Sequence, residues 1–215
     1  MPKIAAMARA AQPGLLVVDR TVHGPYENYQ TPEQRIPAEQ LNHPWESCMT
    51  LANNWGFVNN DEFKSSAKVI HSLIEITAKG GSLLLGIGPR PDGTLPQEAV
   101  TRLQEIGKWM NKNGDAIYNT RIVKNYNDGN SWFTQNNNTG TRYALVCIKN
   151  SDTVPATVSW KMNIPKKGSV MKLLQTGETV KWTVTGDEVK VILPKSLLKK
   201  NEMLPALAFA FLPQQ

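Results

Sequence analysis

The chain has 215 residues, 40% hydrophobic and 20% charged, which is the composition of an ordinary folded protein and excludes a disordered one. That length allows one large domain or two small ones, with a sizeable buried core. The net charge is +6, but the lysines are scattered, with short doublets such as Lys166-Lys167 and Lys199-Lys200; this reads as a solvated basic surface and argues against nucleic acid as a partner.

In chain order, residues 2–12 suit a short helix ended by Pro13-Gly14. This opening, "MPKIAAMARAAQPG", looks like the end of a helix begun earlier, so the chain is expected to be cut from something longer. It lacks the charge–apolar–small order of a signal peptide. "LLVVD", residues 15–19, is a short apolar, β-branched run that predicts a strand buried on both faces. From Asn28 to Thr50, and on to about Phe57, neither helical nor strand periodicity appears. Structureless stretches of that length inside a compact domain are functional or disordered. A helix is predicted from Asp61, with Ile70, Leu73, Ile74 and Thr77 as its apolar stripe and Gly80-Gly81 as its stop.

"SLLLGIG", residues 82–88, is a second apolar strand, and "PRPDGTLP" a turn-rich loop. A helix follows from Pro96, with Val100, Leu103, Ile106, Gly107 and Met110 on one face, closed by Asn113-Gly114. Strands alternating with helices predict a parallel α/β sheet, either a barrel or a doubly wound one. After about Arg121 the chain turns rich in Asn, Gly and Thr. Six strand-like runs follow: "RYALVCIK", "ATVSWKM", "VMKLLQ", "VKWTVTG", "EVKVILP" and "ALAFAFLP". They predict an antiparallel sandwich or barrel over 122–215, with a domain boundary at 121.

No run of about 18 apolar residues exists, so no membrane helix is predicted. Cys48 and Cys147 make neither a disulfide framework nor a zinc site. His23 and His43 lack metal-ligand spacing, and His71 sits mid-helix as a structural residue. Neither a nucleophile elbow, nor a phosphate-binding glycine loop, nor HExxH is present.

In a parallel α/β sheet, chemistry gathers at the carboxyl ends of the strands. Asp19-Arg20 ends the first predicted strand and "GPRPDG" follows the second, so the patternless loop lies on the same edge. That loop carries Glu33, Glu39 and Glu46 among Tyr26, Tyr29, Trp45, Trp55 and Phe57. Aromatic walls raise the pKa of a carboxylic acid and also pack against sugar C–H faces. The combination suggests glycoside hydrolysis by two carboxyl groups, although a noncatalytic carbohydrate-binding or interaction module would have the same composition. Plainer readings stand beside each residue. Glu33 in "TPEQ" suits the first turn of a short helix capped by Thr31. Arg20 suits a pairing with the neighbours of Asp19, Glu46 a prop under Trp45, and Trp55 and Phe57 a place in the core.

Five motifs in series, "LLVVDR", "TPEQRIP", "PWESCMTLANNWGF", "GGSLLLGIGPRPDGTLP" and "IGKWMNKNGDAIYNTR", resemble the α-L-fucosidases of glycoside hydrolase family 29 over residues 1 to about 121. The resemblance implies a retaining exo-glycosidase acting on fucosylated oligosaccharides or glycoconjugates, with no metal or organic cofactor. The implied fold is the C-terminal part of a (β/α) TIM-like barrel over 1–121, followed by an all-β antiparallel sandwich over 122–215. Carried over by motif, Arg20 and Phe57 line the fucose site and Glu33 is the general acid/base, with Glu46 the alternative or a support. Trp45 and Trp55 join the substrate-binding set. The resemblance also implies a periplasmic, secreted or lysosomal setting.

Two departures stand out. Gly86 occupies the place of an asparagine in the family's "LLLN". The family's nucleophile is an aspartate upstream of the Asp-Arg pair, and none occurs among the 18 residues before Asp19. In a double displacement the two carboxyl groups sit roughly 5–5.5 Å apart. The isolated chain is therefore expected to be inert or weakly active, and to self-associate or pair with the missing barrel part.

Overall fold

The computed structural model describes residues 2–20, 23–149, 154–198 and 204–214. Helix α1 spans Pro2–Ala11. The predicted strand at 15–19 is a single parallel bridge from Val18 to Tyr29. Val17 exchanges bonds with Asn28: its carbonyl accepts from the Asn28 amide (2.7 Å) and its amide donates to Asn28 Oδ1 (2.9 Å). Leu16 is exposed. A neighbour along one edge cannot bury both faces of a β-branched run, so the ladder does not extend.

The patternless stretch is ordered. Strand β1 is Glu46–Thr50, and residues 30–34 run parallel beside it through bridges Gln30–Trp45 and Glu33–Cys48. Four backbone bonds hold this piece: Gln30 N to Pro44 O, Glu46 N to Gln30 O, Cys48 N to Pro32 O and Gln34 N to Cys48 O. Pro32 has no amide proton to give, and Gln34 takes φ 55°. The ladder is therefore broken into single bridges, and side-chain alternation is lost with it.

Helix α2 is Ser66–Ala78, starting later than its predicted Asp61 because Ser65 caps it, accepting from the Lys68 amide, while Phe63 is drawn into a bridge with Ala52. Strand β2, Ser82–Gly86, pairs parallel to β1 in register Glu46–Ser82 to Thr50–Gly86. Its Leu84 is exposed, so this strand is covered less fully than its apolar sequence predicts. Helix α3, Gln97–Asn113, follows Pro96 and runs into a 3-10 turn, Gly114–Ala116.

The rest is antiparallel. β3 (Asn127–Asp128), β4 (Ser131–Gln135), β5 (Arg142–Cys147), β6 (Thr157–Lys161), β7 (Met171–Leu173), β8 (Thr179–Thr185), β9 (Glu188–Ile192) and β10 (Ala206–Phe211) form one sheet, with a short helix α4 (Lys195–Leu198) before β10. The spatial order is β3-β4-β5-β10-β7-β8-β9-β6. β8 pairs with β7 through Thr179-Val180 and with β9 from Lys181 onward, so the sheet turns over on itself there. Its two ends meet: the Lys161 amide on β6 donates to Asp128 Oδ2 on β3 at 2.6 Å. Inside lie Phe133, Trp160, Met171, Leu173, Val189, Val191, Leu207 and Phe209. β3 and β4 were not predicted, because "SWFTQ" is short and set among turn-forming residues.

β5 is buried on both faces. Ala144 and Val146 face the inner core, while Tyr143, Leu145 and Cys147 meet Ile70, Ile74 and Trp109 of α2 and α3. His71 Nε2 lies 2.6 Å from Pro205 O and Trp109 Nε1 donates to Ala206 O at 3.0 Å, tying both helices to the sheet. Burial there pushes the Cys147 thiol up from 9.0 to about 12. Among the described residues, no helix is long and apolar enough to cross a membrane.

Candidate active site

Chain order brings Asp19 and Arg20 to the residue-30 segment just past the Val18–Tyr29 bridge. Asp19 Oδ1 accepts from the Thr31 amide (2.9 Å) and hydroxyl (2.7 Å), so Thr31 is pinned by Asp19 instead of capping a helix. Glu33 consequently lies in extended chain beside Cys48, not in a helical first turn.

Two side chains converge on Glu33. Arg20 Nη1 donates to Oε2 at 2.5 Å, and Trp55 Nε1 donates to Oε1 at 3.1 Å. Arg20 Nη2 also donates to Cys48 Sγ at 3.0 Å. Both carboxylate oxygens are thus held, one by a cation and one by a neutral N–H. The Arg20 and Glu33 side chains are 45% and 48% exposed. A pair that open to water contributes about 0–1 kcal/mol to stability, so it orients the carboxylate more than it stabilises the fold. The hydrogen bond to Glu33 holds the Arg20 pKa above its ordinary value, and burial pushes the Cys48 thiol up.

Trp55 reaches Glu33 from the loop after β1, and Gly86 makes room for it. A Cβ at Gly86 would stand 2.8 Å from the Trp55 ring. The departure from the family's asparagine therefore lets an indole lie on the end of β2. The same loop crosses Gly88, where a Cβ would meet the backbone of Gly56-Phe57 at 2.4 Å. Phe57, half-buried, leaves this crossing near Phe63, Ile87 and Pro96, and is not one of the hydrogen-bonded group at Glu33. Lys64, which sequence reading did not single out, clamps the strand end: its Nζ donates to Thr50 O (2.6 Å) and Ala52 O (3.0 Å). Burial, with Lys68 nearby, lowers its pKa. No sequence signal marks it, since "EFKSS" is an unremarkable solvent-facing pattern.

The other two expected site residues lie elsewhere. Trp45 is 3% exposed, donates to Lys79 O at 3.3 Å, and sits so close under Gly81 that a Cβ there would meet its ring at 2.5 Å. It is packed between α2 and the start of β2 and borders a large hollow, apart from the group at Glu33. Glu46, half-buried at the start of β1, accepts from Ser82 Oγ at 3.5 Å, a cross-strand prop and not a partner of Arg20.

This hollow of about 900 Å³, mostly apolar, lies away from Glu33, bounded among others by Val69, Leu73, Leu83, Leu85, Ile106 and Met110. A second of about 630 Å³ adjoins Asp19 and contains His23, Glu27 and Arg35. His23 there lies 3.8 Å from Asp19 and 3.4 Å from Glu27. Among the described residues no group of three or more His, Cys, Asp or Glu could hold a metal ion.

A family model described as alpha-L-fucosidase matches residues 1–115. The plasma alpha-L-fucosidase of Rattus norvegicus is 33% identical over 130 residues, 57% of this chain and 28% of that protein. The plasma alpha-L-fucosidase of Homo sapiens is 28% identical over 184 residues, 80% of this chain and 38% of that protein. The chain thus spans well under half the length of these relatives. Among solved structures, alpha-L-fucosidase isoenzyme 1 from Paenibacillus thiaminolyticus superposes with a TM-score of 0.82 at 23% identity, covering 99% of this chain and 53% of that one, a likeness of fold. With the family model matching 115 of 215 residues, the chain belongs to the alpha-L-fucosidase family.

Proposed function

We propose that this chain is the C-terminal portion of a retaining α-L-fucosidase that releases terminal α-L-fucose from glycoconjugates. Residues 1–121 are the last part of a (β/α) barrel and 122–215 a sandwich that buttresses it. The observation that carries the reading is the two-sided hold on Glu33, from Arg20 at 2.5 Å and Trp55 at 3.1 Å, at the exposed end of a parallel arc. Glu33 protonates the departing glycosidic oxygen, then acts as base toward water. Arg20 orients it, and Trp55 and Phe57 wall the sugar site. The nucleophile aspartate belongs to the rest of the barrel. Trp45 and Glu46 support the strand start.

The purified chain is expected to give no turnover of an aryl α-L-fucoside by itself. Complemented with the preceding barrel portion of a family member, it is expected to turn over, and Glu33→Gln to slow that turnover by roughly 10²–10⁴-fold. Turnover by the complemented enzyme that ignores Glu33→Gln would sink the assignment. The same reading gives the 900 Å³ apolar groove to the missing barrel part. Alone, the chain should then self-associate in sedimentation velocity; a monodisperse monomer at all concentrations would count against this.

A further inference from the structure

The whole net charge sits on the antiparallel half. Residues 1–121 carry twelve basic and twelve acidic side chains, whereas 122–215 carry twelve basic and six acidic. The sheet register sorts four of these lysines into a line. Lys172 on β7 stands opposite Thr179 on β8. Two residues along β8 is Lys181, opposite Ile192 of β9; two residues back along β9 is Lys190. Lys190 stands opposite Ser159 of β6, and two residues further is Lys161. All four are exposed, and their neighbours Met171, Val180, Val189, Val191 and Trp160 point inward. Lys181, Lys190 and Lys161 therefore share the outer face of β8, β9 and β6 as one diagonal, and Lys172 on β7 continues it across the place where the sheet turns over. With strands about 4.8 Å apart and two residues covering about 6.8 Å, each step from Lys181 to Lys190 to Lys161 is about 8 Å.

The spaces between are filled by Thr157, Ser159, Thr183 and Thr185, all exposed, with Ile192 the one apolar residue of these rows. Glu188, opposite Lys161, is the acid within the rows. Asp187 lies in the β8–β9 turn, and Glu178, just before β8, is engaged by Ser196 Oγ at 3.1 Å. None of the four lysines forms an ion pair among the described residues.

We propose that this face binds an extended anionic polysaccharide, a sulfated or carboxylated glycan, laid along the lysine diagonal. Four like charges in a row, offset by Glu188 and Asp128 at the Lys161 end alone, make a field that an extended polyanion relieves by releasing its counterions. Hydroxyl side chains between the lysines suit sugar hydroxyls and sulfate oxygens. Single-stranded nucleic acid is disfavoured because these rows present no aromatic stacking platform, and duplex DNA because a broad sheet face does not enter a groove. A membrane surface is disfavoured because Ile192 alone is a poor apolar anchor. The inference does not depend on the chemistry assigned to Glu33.

The test measures binding of the full chain to immobilised dextran sulfate, with uncharged dextran as the blank, across a salt series. The chain is expected to bind dextran sulfate with a log–log salt slope near four, about one per lysine. The quadruple variant K161Q/K172Q/K181Q/K190Q should bind roughly tenfold or more weakly with a shallow slope. The variant K3Q/K68Q/K108Q/K112Q, with the same charge change at exposed positions in 1–121, should bind as the parent does. Replacing the same four diagonal lysines by arginine should retain binding, which separates lost charge from lost fold. Equal weakening in both glutamine variants would overturn the proposal, as would tighter binding to duplex DNA or to phosphatidylserine vesicles than to dextran sulfate at the same salt.

Discussion

Trp160→Ala is expected to cost about 3–5 kcal/mol of folding stability, read as a fall in the urea midpoint with an unchanged slope. Trp160 is 1% exposed and is the largest fully buried side chain among the described residues. Its ring lies 6.1 Å from Phe133, 5.7 Å from Phe209 and 6.1 Å from Phe211. Those rings come from β4 and β10, across the core from β6. β6 is an end strand whose ladder partner is β9 alone. The indole thus anchors the end of the sheet to strands it does not pair with. Truncation removes the transfer free energy of a large ring, leaves a cavity, and breaks three aromatic contacts worth about 0.5–1.5 kcal/mol each. A loss under about 1 kcal/mol would show that the core collapses freely around the vacancy.

Lys79→Met is expected to cost about 3 kcal/mol, the low end of the range for removing one partner of a buried pair. Lys79 is 4% exposed; its Nζ donates to Glu75 Oε1 at 2.6 Å and Pro37 O at 2.7 Å, and lies 5.5 Å over the Trp132 ring. The ammonium joins three elements, the loop that carries Glu33, the end of α2, and β4. Methionine fills most of the volume but leaves the Glu75 carboxylate and the Pro37 carbonyl without their donor. The Glu75 side chain is 31% exposed, so water recovers part of its solvation, which places the effect at the low end. Urea unfolding followed by tryptophan fluorescence and far-UV circular dichroism measures it. Gln40, bonded to Ala78 O and Val123 O, and the apolar contact of α2 and α3 with β5 remain, so one transition is expected to persist. An unchanged midpoint would mean that the ammonium contributes nothing beyond its stem.

What the sequence made legible was whatever repeats. The stripe Ile70-Leu73-Ile74-Thr77 and the face Val100 to Met110 mark α2 and α3, and the six alternating runs each contain a strand of the antiparallel sheet. Periodicity fails where one edge of a segment is unpaired, as at Val18, or where proline breaks a ladder, as at Pro32. Glu33 and Arg20 were brought forward by resemblance, since a spacing of thirteen residues does not by itself announce a hydrogen bond. The Trp55 contact was invisible because it depends on the missing side chain at Gly86. The burial of Trp45 under Gly81 was equally illegible, because an aromatic beside a carboxylate looks alike in a sugar site and under a glycine. The lysine diagonal needs the register of four strands, which no local pattern contains.

The parallel pair has one further property. β2 lies at the margin of its sheet, and "SLLLG" offers neither charge nor proline to discourage a visiting strand. The antiparallel sheet, by contrast, brings its last strands together through Asp128. Ordered aggregates of this chain should therefore grow from Ser82–Gly86, and a single lysine at exposed Leu84 would blunt that growth while leaving the antiparallel sheet untouched.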